Sequence, residues 1–143
     1  PAPLRPDRKE SIGWLVAQPG PGVVIVDGYN LGFQLAGRRD PAGGRARAVM
    51  AADHLRRGAR GPWRIIVVFD SALGAVDELL PGPVEIRYTA EAGGADREIA
   101  ELARSLEGAR VVLSNDREVR EAAERCGALA LWSDAVAEWE GSR

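Results

Sequence analysis

A chain of 143 residues with 45% apolar and 28% charged residues has the composition of one ordinary globular domain, which excludes both a disordered polymer and a two-domain enzyme. No uninterrupted apolar segment is long enough to span a bilayer, and the N-terminal stretch carries charges where a signal peptide needs an apolar block, so a cytoplasmic protein without a membrane partner is expected. Cys126 is the one cysteine, which rules out an internal disulfide and reads as small apolar filler, while the formal net charge of −2 hides an uneven distribution taken up below.

Residues 1–22 read as a leader or linker. Residues 9–16 carry a short amphipathic helix pattern, and QPGPG at 18–22 stops helix and strand alike. The start at Pro1 rather than at methionine favours excision of the domain from a longer protein. The domain itself is expected over residues 23–143. Residues 23–26 (VVIV) form a continuous branched aliphatic run, the mark of a strand buried on both faces of a parallel sheet. Asp27 and Gly28 then read as a turn, and Tyr29 as a core ring. Residues 44–60 place Ala48, Val49, Ala52 and Leu55 on one side of a helix and arginines on the other.

A second strand is expected at residues 64–69 (RIIVVF), and residues 84–88 (VEIRY) alternate as an edge strand with one wetter face does. Residues 95–106 are a helix with Ile99, Leu102, Ala103 and Leu106 inward, and residues 110–113 (RVVL) the next strand. Residues 117–125 are a helix that stops at Gly127, and residues 128–132 (ALALW) the last strand. Ser133 is expected to cap a final helix over residues 134–140. This alternation gives the α/β class: a three-layer α/β/α domain around a central, mostly parallel five-stranded sheet with right-handed crossovers.

In such a sheet the C-terminal strand ends share one edge, where open α/β folds place their ligands. The first strand ends in Asp27, the second in Asp70, and the fourth run leads into Asn115 and Asp116; the helix opening GGAD brings Asp96 to the same edge. Four converging carboxylates repel one another unless a cation lies among them. Oxygen donors without a paired His or Cys suit Mg²⁺ or Mn²⁺ rather than zinc, and such ions assist phosphodiester hydrolysis. Each acid also has a plain structural role open to it. Asn115 or Asp116 can cap the helix at Arg117, Asp96 can complement a helix dipole, and Asp27 and Asp70 can open turns. Asn30 can orient Asp27, bind a water on the ion, or stabilise its turn.

Residues 38–64 hold eight arginines against two acids, a local balance of +6, whereas residues 91–124 hold nine acids against five arginines. The first stretch is a candidate phosphate track, with Arg38, Arg39, Arg45, Arg47 and Arg56 as its expected nucleic-acid contacts; the structural alternative is a solvated helix face. His54 lies in that helix with no second His or Cys at ligand spacing, and reads as exposed or phosphate-facing. No P-loop or dinucleotide fingerprint follows the first strand.

VIVDGYN, VVFDS, GGADREI and VVLSNDREV together make the chain resemble the NYN domain group of PIN-like nucleases, and within it the YacP-like bacterial branch, over about residues 23–132. The resemblance implies a PIN-like fold, a Mg²⁺ or Mn²⁺ site and endonuclease action on RNA. Residue by residue, it maps Asp27 to the first-strand metal acid, Asn30 to its neighbouring amide, Asp96 to the acid heading the third helix and Asp116 to the acid after the fourth strand. Asp70 matches the second-strand position, where the branch continues with glycine and this chain has Ser71. The branch often has a second acid after Asp96; here Arg97 intervenes before Glu98. The expected function is therefore a metal-dependent endoribonuclease acting on single-stranded RNA. In this reading Asp27, Asp96 and Asp116 hold the ion, and Asp70 and Asn30 support it. The alternative is an RNA-binding module with a vestigial site, to which Arg97 points. Single-stranded or structured RNA is the implied partner, with the ribosome as a candidate presenter of it and a homodimer as a candidate assembly.

Overall fold

The apolar runs become strands because branched side chains on both sides of a pleated backbone find a helix layer on each face. The computed structural model describes residues 5–70, 82–90 and 93–143. Ser71 and residues 1–4 of the expected leader lie outside the described residues. The strands are β1 (Gly22–Asp27), β2 (Trp63–Asp70), β3 (Glu85–Thr89), β4 (Ala109–Leu113) and β5 (Leu129–Leu131), and the helices α1 (Lys9–Ala17), α2 (Gly28–Ala36), α3 (Pro41–Gly58), α4 (Gly94–Ser105), α5 (Arg117–Arg125) and α6 (Ser133–Gly141). The sheet order is β3-β2-β1-β4-β5, and all four pairings are parallel. The alternating run forms the edge strand β3, half-buried along its whole length.

Side-chain parity divides the core in two. Val24 and Val26 of β1 join Ile65, Val67 and Leu113 against the layer holding α1, α2, α3 and α6. Val23 and Ile25 join Ile66, Val68 and Val112 against α4 and α5, where they meet Ile99, Leu102, Val119 and Ala123. Each fully buried Val, Leu or Ile contributes about 1.5–3 kcal/mol relative to exposure, so a sheet covered on both faces is the main source of stability.

The stretch read as a leader packs into this core. Ile12 and Leu15 of α1 are buried with the β1 and α3 residues, Glu138 of α6 accepts from Arg8 Nε at 3.1 Å and from the Lys9 N–H at 2.9 Å, and the Trp132 N–H donates to the Pro6 carbonyl. The expected turn after Asp27 is instead the helix α2. Gly28 permits it: a Cβ there would stand 2.5 Å from the Phe69 ring. Gly32 lets α2 lie against α3, since a Cβ at Gly32 would meet the Gly44 carbonyl at 2.7 Å. Among the described residues no helix is long and apolar enough to cross a membrane.

Candidate active site

From β1 the chain builds outward through β2 to β3, then returns past β1 to build β4 and β5 on the other side. The C-terminal ends of β1 and β4 therefore flank the point where strand order reverses, the usual ligand crevice of an open parallel sheet. Parity selects the face. Asp27 continues the series Val23, Ile25; Asp70 continues Ile66, Val68; Ser114 follows Val112. All three thus belong to the α4–α5 side, where Asp96 sits in the first turn of α4 and Asp116 is the N-cap of α5.

Asp27 is 8% exposed. Burial pushes its carboxyl up to about 6; the Ser114 hydroxyl opposes the shift, and the charges of Asp96 and Asp116 add to it. Ser114 is fully buried and donates to Asp27 Oδ2 at 2.8 Å, while its own oxygen accepts from the Asp116 N–H at 3.0 Å. Asp96 is also raised, by burial first and then by Asp116, Asp70 and Glu118. Asp70 Oδ2 accepts from the N–H of Gly93, which ties the end of β2 to the start of α4. Asp116 performs the capping role open to it: Oδ1 accepts from the Glu118 N–H at 2.9 Å and the Val119 N–H at 3.4 Å. A cavity of about 200 Å³ is lined by Asp27, Asn30, Asp70 and Asp96, with Tyr29, Phe33, Arg38 and Ala95 completing its wall.

Asn30 and Asn115 are both held through their amide oxygens. Asn30 Oδ1 accepts from the Asn115 N–H at 2.8 Å and from the Ser133 hydroxyl at 2.7 Å. Asn115 does not cap α5. Its side chain pairs reciprocally with Asp134, Nδ2 donating to Asp134 Oδ1 at 2.9 Å and Oδ1 accepting from the Asp134 N–H at 3.0 Å, so Asn115 closes the start of α6. Ser133 accordingly is not the cap expected of it. It is the first residue of α6 and spends its hydroxyl on Asn30. Ser114 is the polar site residue the sequence reading passed over, its signal being its place inside VVLSNDREV, and Ser133 is one to which it gave another role.

The arginine track divides. Arg38, Arg39 and Arg47 are exposed, and the Arg38 guanidinium stands 4.8 Å from the Phe33 ring centroid at the cavity wall. Arg45 is 4% exposed and donates to the Tyr29 hydroxyl at 2.9 Å, so it belongs to the core beneath the site and not to an open track. Arg56 is paired with Asp53 at 3.2 Å. His54 is not exposed; its Nδ1 lies 2.8 Å from Glu140 Oε2, between α3 and α6. Tyr29 is a core ring, buried against Phe69. Glu98 meets Arg87 at 3.4 Å.

Among the described residues no three His, Cys, Asp or Glu side chains stand close enough together to hold a metal ion as placed. The donor chemistry fits a hard divalent cation all the same. The donors are carboxylate oxygens, and among the described residues no salt bridge neutralises the buried Asp27.

The family model for the YacP-like NYN domain matches residues 24–139. The crystal structure of Rae1 (YacP) from Bacillus subtilis, a W164L mutant, is similar at 26% sequence identity and a TM-score of 0.63, covering 83% of this chain and 74% of that one. Comparison with curated proteins gives no match.

Proposed function

Because the chain belongs to the YacP-like NYN domain family, within the PIN-like nuclease superfamily, we propose that it is a Mg²⁺- or Mn²⁺-dependent endoribonuclease that hydrolyses phosphodiester bonds of single-stranded RNA. NYN nuclease domains are generally dependent on a divalent metal. The observation that carries the reading is the buried Asp27 carboxylate at the switch point, raised by burial and facing Asp96 and Asp116. A carboxylate so placed costs stability as structure alone, which makes sense where a cation offsets the repulsion.

Asp27, Asp96 and Asp116 would hold the ion, with Asp70 in support. When bound, a divalent ion acts as a Lewis acid that lowers the pKa of a water and neutralises phosphate charge. The chain's own contributions are binding and orientation. Ser114 fixes the Asp27 carboxylate from below. The exposed Arg38, Arg39 and Arg47 attract the flanking backbone of the RNA in a salt-sensitive way.

The test is cleavage of an end-labelled single-stranded RNA at low salt in Mn²⁺, Mg²⁺ or EDTA, with the parent and Asp27→Asn side by side. Metal-dependent cutting that falls by about 10³-fold or more in the variant is expected. RNA that stays intact in every metal while binding persists in both proteins would favour the second reading, an RNA-binding module with a vestigial site, for which Arg97 next to Asp96 speaks.

A further inference from the structure

The hydrogen bonds around Asn30 fix more than its position. A backbone N–H can only donate, so the Asn30 atom 2.8 Å from the Asn115 nitrogen is the amide oxygen, and the Ser133 hydroxyl at 2.7 Å satisfies the same oxygen a second time. Both acceptor positions of Oδ1 are thereby taken from the α5–α6 side. The Nδ2 end of the amide makes no hydrogen bond among the described residues, and Asn30 lines the cavity with Asp27, Asp70 and Asp96. Its partner Asn115 is itself immobilised by the reciprocal pair with Asp134. Ser133 is fully buried, so its hydroxyl has no solvent to turn to.

From this geometry we propose that Asn30 serves the nuclease reaction as a hydrogen-bond donor, offering its amide N–H₂ to a non-bridging oxygen of the scissile phosphodiester, and that Ser133 is the positioning residue that holds the amide in that orientation. The proposal rests on the nuclease reading and gives the cavity two chemically different kinds of lining group. The carboxylates Asp27, Asp70 and Asp96 are one. The donors, the Asn30 amide and the Arg38 guanidinium, are the other. An amide oxygen already holding two donors is a poor metal ligand, so Asn30 works on the phosphate and not on the ion. Pre-aimed donors of this kind act where charge develops on phosphate oxygens during attack.

Asn30→Asp tests this, because aspartate keeps both inward acceptors and replaces only the outward N–H₂ by a carboxylate oxygen. The expected result is a loss of RNA cleavage of about 10²-fold or more, with Mn²⁺ binding, followed by its electron paramagnetic resonance signal, retained. Affinity for the same RNA measured in Ca²⁺ should weaken about fivefold to tenfold. An oxygen ligand to the ion would behave in the opposite way: cleavage by Asn30→Asp within about threefold of the parent overturns the proposal. Ser133→Ala should lower kcat about tenfold with KM within twofold and a melting temperature in EDTA lowered by only about 2–5 °C, the loss of one buried hydrogen bond, whereas an unchanged kcat removes Ser133 from its positioning role. If the parent cleaves in no metal, the nuclease reading itself fails. The Ca²⁺ binding measurement then decides the donor assignment alone, an equal affinity of parent and variant overturning it.

Discussion

The two ends of the central strand are built on opposite principles. At its start the register sets Gly22 beside Trp63 and Ala109. The Trp63 ring fills the space a side chain at Gly22 would need, a Cβ there coming within 2.5 Å of it, and its Nε1 donates to the Gln18 carbonyl at 3.2 Å. Apolar volume is packed and the polar atom is satisfied. At the other end the same strand finishes in a buried carboxylate faced by two more. One end of β1 therefore supplies stability, and the other holds groups whose repulsion the rest of the fold must offset. Concentrating both in one six-residue strand is possible because its two ends stand about 16 Å apart along the extended backbone.

Two substitutions should separate these ends by the sign of their effect on stability. Trp63→Ala removes a large, 9%-exposed ring from the packed end and should cost about 3–5 kcal/mol in urea unfolding. A cost below about 1 kcal/mol would show that the ring is not a core element. Asp27→Asn should act in the other direction. With its folded carboxyl at about 6 against an ordinary 3.8, Asp27 binds more protons folded than unfolded between about pH 4 and pH 6. Stability consequently falls as pH rises through that window and stays low above it, by about 3 kcal/mol in total. In EDTA the variant should be more stable than the parent by about 2–3 kcal/mol at pH 7.5, and the difference should vanish near pH 4. A variant that is less stable at pH 7.5 would remove the idea of a destabilising buried charge.

The contrast between the ends also marks what the sequence could convey. Both faces of the sheet were legible because continuous VVIV and RIIVVF runs have one plausible home, a strand covered twice. The acids at the strand ends were legible for the same reason, since a carboxylate directly after such a run must fall at the sheet edge. The helix α2 was not: Asp27-Gly28 resembles a turn, Gly32 weakens a helical pattern, and what makes the segment helical is its close packing on α3 through Gly32 and Gly44. Residues 9–16 gave their helix but not its burial, because contacts of Ile12 and Leu15 come from parts of the chain far away in sequence. Within the site, the Ser114–Asp27 and Ser133–Asn30 bonds span 87 and 103 positions, and a neutral serine carries no local sign of such a partner. Arg45 is the instructive case among the arginines. A charge count treats it like its neighbours, yet it stands three positions before Ala48 and seven before Ala52, on the buried stripe of α3.

That division among the arginines yields the smallest expected effect. Arg38 is exposed, lines the acid cavity and rests its guanidinium over Phe33, whereas Arg64, equally part of the basic stretch, is paired with Glu85 on the β2–β3 side of the sheet. A phosphate contact at Arg38 neutralises one backbone charge, so Arg38→Ala should lower RNA affinity about threefold and reduce the dependence of log affinity on log salt by about 0.7, the increment for one contact on a single strand. Arg64→Ala should leave both quantities within error, because its charge is already spent on Glu85. Fluorescence anisotropy of a labelled single-stranded RNA in Ca²⁺, between about 50 and 200 mM salt, reads both. Equal slopes for the two variants would mean that RNA approaches the acids by another route than the Arg38 wall, whereas a loss confined to Arg38 would tie the basic stretch to the cavity through that one side chain rather than through its net charge.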